Sequence, residues 1–306
     1  MTQLRSGPLT GCGTALVTPF ASDGTVDETA LRHLIEAQLK GGIDLLVPCG
    51  STGEAATLSL AEHARVVAIT AEVVNGRVPV VAGAGSSDTD RAIALAKASV
   101  QAGATHLLVV APPYNKAPQR GLLAHFRAVA DAVEVPIMLY NVPGRTAINL
   151  TTASVLELAA DPRFVAVKEA SGNLAQIDDL IAHRPDGFTV LSGDDALTLP
   201  IMALGGDGVI SVVSNVLPSA MAALTHAAAA GDMEGARRLH RALRPVMAAA
   251  FLESNPIPAK AALASEGRMS NVLRLPLVPL APEHREPLAR ALAESRAALE
   301  AIHFPS

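Results

Sequence analysis

The chain has 306 residues, half of them hydrophobic but only 3% aromatic and none Trp, so it can bury a large core of Ala, Val, Leu and Ile and lacks an aromatic surface on which bases would stack. A formal net charge of -5 offers no basic footprint for nucleic acid or an anionic membrane, which leaves small molecules as the expected partners. Cys12 and Cys49 suit a reducing cytosol better than a disulfide scaffold, and the nine histidines show no HxH or HExxH spacing, so a protein-built metal site is not expected.

The N-terminal stretch MTQLRSGPLTG has no apolar signal-peptide core, and no apolar run approaches the roughly 20 residues needed to span a bilayer. A cytoplasmic protein is expected. In chain order, strand-like apolar runs cover 14–18, 43–48, 78–82, 106–111, 135–140, 164–168, 188–191 and 208–212. Helix-period stretches lie between them at 28–40, 60–74, 89–102, 119–133 and 174–183. Runs that are apolar on both faces and alternate with helices indicate parallel βαβ units, and eight of them predict a closed (β/α)8 TIM barrel over 1–230. An open doubly wound sheet is the competing architecture, but GxGxxG is absent after the first strand. From Gly231 the pattern is wholly helical, at 233–252, 256–265 and 283–302, which predicts a C-terminal helical region over 231–306. In its last segment Leu288, Leu292, Leu299 and Ile302 share one face.

Active groups of such a barrel sit at the C-terminal ends of its strands, and this filter selects few residues. Lys168 ends the apolar run of FVAVKEASGN. It either extends into solvent or pairs with Glu169, or else it is a desolvated amine able to attack a carbonyl. After the second strand, Gly50–Glu54 (GSTGE) sets the hydroxyls of Ser51 and Thr52 in a tight turn that could hold a carboxylate or phosphate, or could simply cap the next helix. The only two tyrosines, Tyr114 and Tyr140, follow the fourth and fifth strands, where a phenol can move protons. In YNVPGRT, Arg145 can offer a fork to a carboxylate, or lie free at the surface. Asp194 and Asp195 follow the seventh strand, and as sequence neighbours they suit helix N-capping better than a shared metal. Gly205, Gly206 and Asp207 precede the eighth strand and belong to the opposite, stabilising face.

These motifs carry a resemblance. GTALVTPF, GSTGE, PPYNK, YNVPGRT, VKEASGN, GDD, GVISVVSN and NPIPAK occur in the order found in the dihydrodipicolinate synthase and N-acetylneuraminate lyase family of pyruvate-dependent class I aldolases, and nearly the full length is similar. The resemblance implies that Lys168 forms a Schiff base with pyruvate, that Ser51 and Thr52 hold its carboxylate, and that Tyr140 is the acid and base above the imine. It implies a proton relay of Tyr140 with Thr52 and with a Tyr114 supplied across a tight dimer interface. It places Ile210 in the pyruvate pocket and Arg145 on the carboxylate of the second substrate. PGRT is similar to the synthase branch, for which the reaction is aldol condensation of pyruvate with L-aspartate 4-semialdehyde, then cyclisation to 4-hydroxy-tetrahydrodipicolinate, on the way to diaminopimelate and lysine. An imine serves as electron sink, so no metal or organic cofactor is expected. A homotetramer built as a dimer of dimers is implied.

Two other readings stay open on the same residues: an aldolase or dehydratase acting on a 2-keto-3-deoxy sugar acid, and a non-catalytic barrel that binds a keto acid. The chain also departs from the pattern. Ser51 stands where Thr is usual and Pro113 where Tyr is frequent. Leu60, Ser87 and Arg91 occupy positions that carry His, Asn and Glu in lysine-inhibited members, while His63 and Ala56 match. Replacing an acidic ligand of an amine by Arg91 predicts weak or no feedback inhibition by lysine.

Overall fold

The computed structural model describes residues 8–304; residues 1–7 of the N-terminal stretch lie outside them. Eight parallel strands alternate with helices: β1 (Gly11–Ala15), α1 (Glu28–Lys40), β2 (Leu45–Val47), α2 (Leu60–Val74), β3 (Val81–Gly83), α3 (Thr89–Gln101), β4 (His106–Val110), α4 (Gln119–Asp131) and β5 (Ile137–Asn141). The single turn α5 (Pro143–Thr146) and α6 (Thr152–Ala159) come next. They lead to β6 (Phe164–Glu169), α7 (Leu174–His183), β7 (Thr189–Ser192), α8 (Thr198–Ala203) and β8 (Gly208–Ser211). Helices α9 (Pro218–Ala229), α10 (Met233–Ala249), α11 (Ile257–Ser265) and α12 (Pro282–Ala301) end the chain.

The strands pair in the order β2-β1-β8-β7-β6-β5-β4-β3. The ring closes where Leu46 N–H donates to Pro79 O at 3.0 Å and Gly83 N–H to Pro48 O at 2.9 Å. This is the expected (β/α)8 barrel. Its apolar side chains form two cores. An inner one holds Leu45, Val47, Val81, Leu108, Met138, Tyr140, Ala166, Leu191 and Ile210. A larger outer one lies between strands and helices and includes Phe164, Val167, Phe126 and Leu243. Runs that are apolar on both faces are what this double burial requires.

Helix starts follow their caps. Asp27 accepts from Ala30 N at 2.9 Å and begins α1, while Ser59 and Glu62 form a reciprocal capping box on α2. Two strands start farthest from their expected bounds, and each for a physical reason. The first runs from Gly11, not Thr14, because a side chain at Gly13 would bring Cβ within 2.7 Å of Ile210 Cδ1, so the strand carries glycine where an apolar residue was sought. The third starts at Val81, since Pro79 has no N–H to give the ladder and Val80 makes only an isolated bridge.

The last helix buries Leu288, Leu292 and Leu299, with Ile302 packed partly against the same core. Its fully buried Ser295 accepts from Val246 N at 3.2 Å, next to Pro245 inside α10. Thus α12 lies on α10, and the segment between α10 and α12 returns to the rim of the barrel.

Candidate active site

Lys168 owes its position to a fault in β6. Ile137 of β5 pairs with Phe164, but Met138 pairs with Ala166, so one residue is skipped. Phe164 therefore faces the outer core, whereas Ala166 faces the barrel interior and Lys168, two residues on, faces inward as well. The register sets Lys168 beside Tyr140 on one flank and Leu191 on the other. The residue is 5% exposed, and Nζ lies 4.4 Å from the centre of the Tyr140 ring. Lys168 neither reaches solvent nor pairs with Glu169, the first of the two options its sequence allowed. Glu169 points the other way, accepting from Asn141 Nδ2 at 3.0 Å and Ser171 N at 2.7 Å. Gly193 makes room for the lysine, because a Cβ there would stand 3.1 Å from Lys168 Cε.

Burial lowers the Lys168 ammonium from 10.5 to about 8; the charge of Asp195 opposes this shift and that of Arg145 adds to it. Tyr140, 6% exposed, is pushed up to about 12 by burial, with Arg145 opposing and Glu169 adding. Near neutrality the pair is therefore an amine with an accessible neutral form beside a phenol that keeps its proton. Asp195 is 1% exposed and accepts from the Ser211 hydroxyl and from the amides of Val212 and Val213, at 3.0 and 3.1 Å. It anchors the end of β8. Asp194 does cap a short turn, accepting from Ala196 N at 2.9 Å, but Asp195 departs from the capping expectation because its carboxylate points across to the next strand.

A cavity of about 530 Å³ opens at this end of the barrel. Ser51, Tyr140 and Arg145 line it, together with Gly83, Val110, Arg91, Asn255, Pro276 and Leu277. Lys168, Thr52 and Ile210 are buried beside these groups and do not form its wall. Ile210 sits wholly inside the inner core. In the GSTGE turn, Gly53 N donates to Gly50 O at 3.0 Å, and Glu54 takes a positive φ of 52°. Ser51 and Thr52 leave the capping of the next helix to Ser59, so their hydroxyls are not spent there.

Tyr114 stands apart. It follows β4 with a φ of 74°, is 89% exposed, and does not line the cavity. Within one chain, therefore, Lys168 and Tyr140 lie side by side, and Thr52 is bonded to the cavity-lining Asn255 at 2.9 Å, while Tyr114 stands outside the cavity. Sequence reasoning passed over Asn255, which appears there only inside NPIPAK, and over the pair Glu54–Lys260. Lys260 Nζ meets Glu54 Oε1 at 2.5 Å with both side chains 0% exposed. No spacing rule joins residues 206 positions apart.

Among the described residues no three His, Cys, Asp or Glu side chains gather as a metal site, and no helix is long and apolar enough to cross a membrane. The arrangement is suited to carbonyl chemistry through an amine.

Residues 8–295 match the model of the dihydrodipicolinate synthetase family. The 4-hydroxy-tetrahydrodipicolinate synthase of Koribacter versatilis is 53% identical over 289 residues, covering 94% of this chain and 96% of that protein. The structure of the 4-hydroxy-tetrahydrodipicolinate synthase of Methylacidiphilum fumariolicum SolV superposes with a TM-score of 0.95 at 40% identity, over 97% of this chain and all of that one. A monomeric dihydrodipicolinate synthase variant gives a TM-score of 0.92 at 41% identity, over 94% of this chain and 97% of that one.

Proposed function

The chain belongs to the dihydrodipicolinate synthetase family, and from that premise we propose that it condenses pyruvate with L-aspartate 4-semialdehyde through an imine on Lys168, giving 4-hydroxy-tetrahydrodipicolinate for diaminopimelate and lysine synthesis. It is a class I, aldolase-type lyase. The observation that carries this reading is the buried Lys168 amine, lowered to about 8, set 4.4 Å over the ring of Tyr140.

The neutral Lys168 attacks C2 of pyruvate, and loss of the C2 oxygen as water leaves the imine. The imine withdraws electrons, so a methyl proton at C3 leaves and an enamine forms. Its C3 attacks the aldehyde carbon of the second substrate, and a proton neutralises the new alkoxide. The amino group of that substrate then displaces Lys168 at C2, which closes the ring and frees the enzyme. Tyr140, held protonated by burial, is the acid at these steps and its phenolate the base. Thr52 and Tyr114 complete its relay, Ser51 and Thr52 hold the pyruvate carboxylate, Ile210 shapes the pyruvate pocket from beneath, and Arg145 at the exposed rim takes the second carboxylate. The exposure of Tyr114 supports its delivery to a neighbouring subunit, in a cytoplasmic homotetramer made of two tight dimers.

Pyruvate with borohydride is expected to add its reduced adduct to the peptide holding Lys168, and aspartate semialdehyde to be consumed far faster than sugar aldehydes. An unmodified Lys168 peptide would falsify the imine mechanism, and faster turnover of a sugar aldehyde would reassign the second substrate.

A further inference from the structure

Asn255 lies between α10 and α11, far in sequence from any barrel strand, yet it touches two of the groups assigned above. Its side-chain Nδ2 donates to Thr52 Oγ1 at 2.9 Å. Its main-chain oxygen accepts from Arg145 Nη2 at 3.1 Å. Asn255 is 6% exposed, Thr52 is 3% exposed, and Asn255 lines the cavity. Its remaining side-chain atom, Oδ1, is buried with no hydrogen-bond partner among the described residues. Buried acceptors are nearly always paired, so an unpaired one at a cavity marks a place where fold stability yields to a site.

A hydroxyl has one proton to give and two lone pairs to accept with. The amide of Asn255 fills one lone pair of Thr52, so the hydroxyl cannot direct its proton at Asn255. Among the described residues Thr52 Oγ1 donates to no protein group, which leaves its proton for the reacting molecule or the Tyr140 relay. Lys260 of α11 pairs with Glu54 of the same turn, a second contact between the two segments that carry Asn255 and Thr52.

We propose that Asn255 is a positioning residue: its amide presets the Thr52 hydroxyl as a donor, and its carbonyl holds Arg145, tying the pyruvate side of the site to the side that takes the second carboxylate. This rests on the imine reading above.

The test is a double-mutant cycle. Asn255→Asp keeps the shape but replaces the donor with an acceptor that captures the Thr52 proton; Asn255→Ala removes the amide and serves if the aspartate variant fails to fold. Each is made with Thr52 intact and with Thr52→Val. With Thr52 intact, kcat is expected to fall about tenfold or more. KM for the semialdehyde is expected to change less than about twofold, because the carbonyl that holds Arg145 is main-chain. In the Thr52→Val background the same changes should cost less than about twofold. Equal losses in both backgrounds, or a rise in KM with kcat unchanged, overturn the role of Asn255. Borohydride trapping of the unsubstituted enzyme separates the two levels. No pyruvate adduct at Lys168 overturns the imine reading, and with it this proposal; normal trapping beside equal losses overturns the role of Asn255 alone.

Discussion

A lysine lowered from 10.5 to about 8 has a measurable consequence in the first chemical step. At pH 7.5 about a quarter of such amines are neutral, against roughly 0.1% of ordinary lysines, so burial raises the nucleophile concentration by a few hundredfold. The rate of imine formation, followed by mixing enzyme with pyruvate and quenching with borohydride at timed intervals, should climb about tenfold per pH unit below neutrality and flatten above about pH 8. Arg145→Met supplies the perturbation. Its charge helps to lower Lys168, though less than burial does, so removing it should move the plateau to higher pH by less than the burial shift itself. The assay needs pyruvate alone, so loss of the second carboxylate's partner does not confuse it. The sign for stability follows from the same shift. Between about 8 and 10.5 the unfolded chain binds more protons at this lysine than the folded one, so its contribution to stability improves as pH rises through that window. A trapping rate still climbing through about pH 9.5, as for an unperturbed amine, would refute the argument.

Lys260→Met should leave the Glu54 carboxylate buried and unpaired but for the amide of Arg274 at 3.1 Å, costing about 3–5 kcal/mol. The melting temperature should fall by on the order of 10 °C, and Glu54→Gln in the same chain should restore part of it; a double variant as unstable as the summed singles would sink the pairing. Gly193→Ala would set a Cβ 2.6 Å from Ala170 Cβ and 3.1 Å from Lys168 Cε, so pyruvate trapping should slow by about tenfold or more, and an unchanged rate would show that the lysine has slack. Leu60, Ser87 and Arg91 replace the groups expected to hold lysine as an inhibitor, and Arg91 lines the cavity with its charge. Lysine should therefore inhibit weakly or not at all; half-maximal inhibition at submillimolar lysine would contradict this.

The alternation of apolar runs and helix periods was enough to read a barrel, since strands covered on both faces have to be apolar throughout and helices announce their starts by caps such as Asp27 and Ser59. The end-of-strand filter selected Lys168, Tyr140, Tyr114, Ser51, Thr52 and Arg145 for an equally local reason: in a parallel barrel, the residue that closes an apolar run is delivered to one rim. Tertiary structure alone decided which way those residues point. Side-chain parity in β6 flips at the skipped residue after Phe164, and no local pattern in FVAVKE announces a bulge, because both of its neighbouring cores are apolar. It also decided what surrounds them. Asn255 and Lys260 reach Thr52 and Glu54 across more than 200 residues, 203 in one case and 206 in the other, and a contact of that span is made by chain folding, which leaves no periodic trace in the sequence. The lowering of Lys168 has the same origin: it comes from the volume of Leu, Val and Ala packed inside a closed ring, a property of the barrel and not of the residues beside it in the chain.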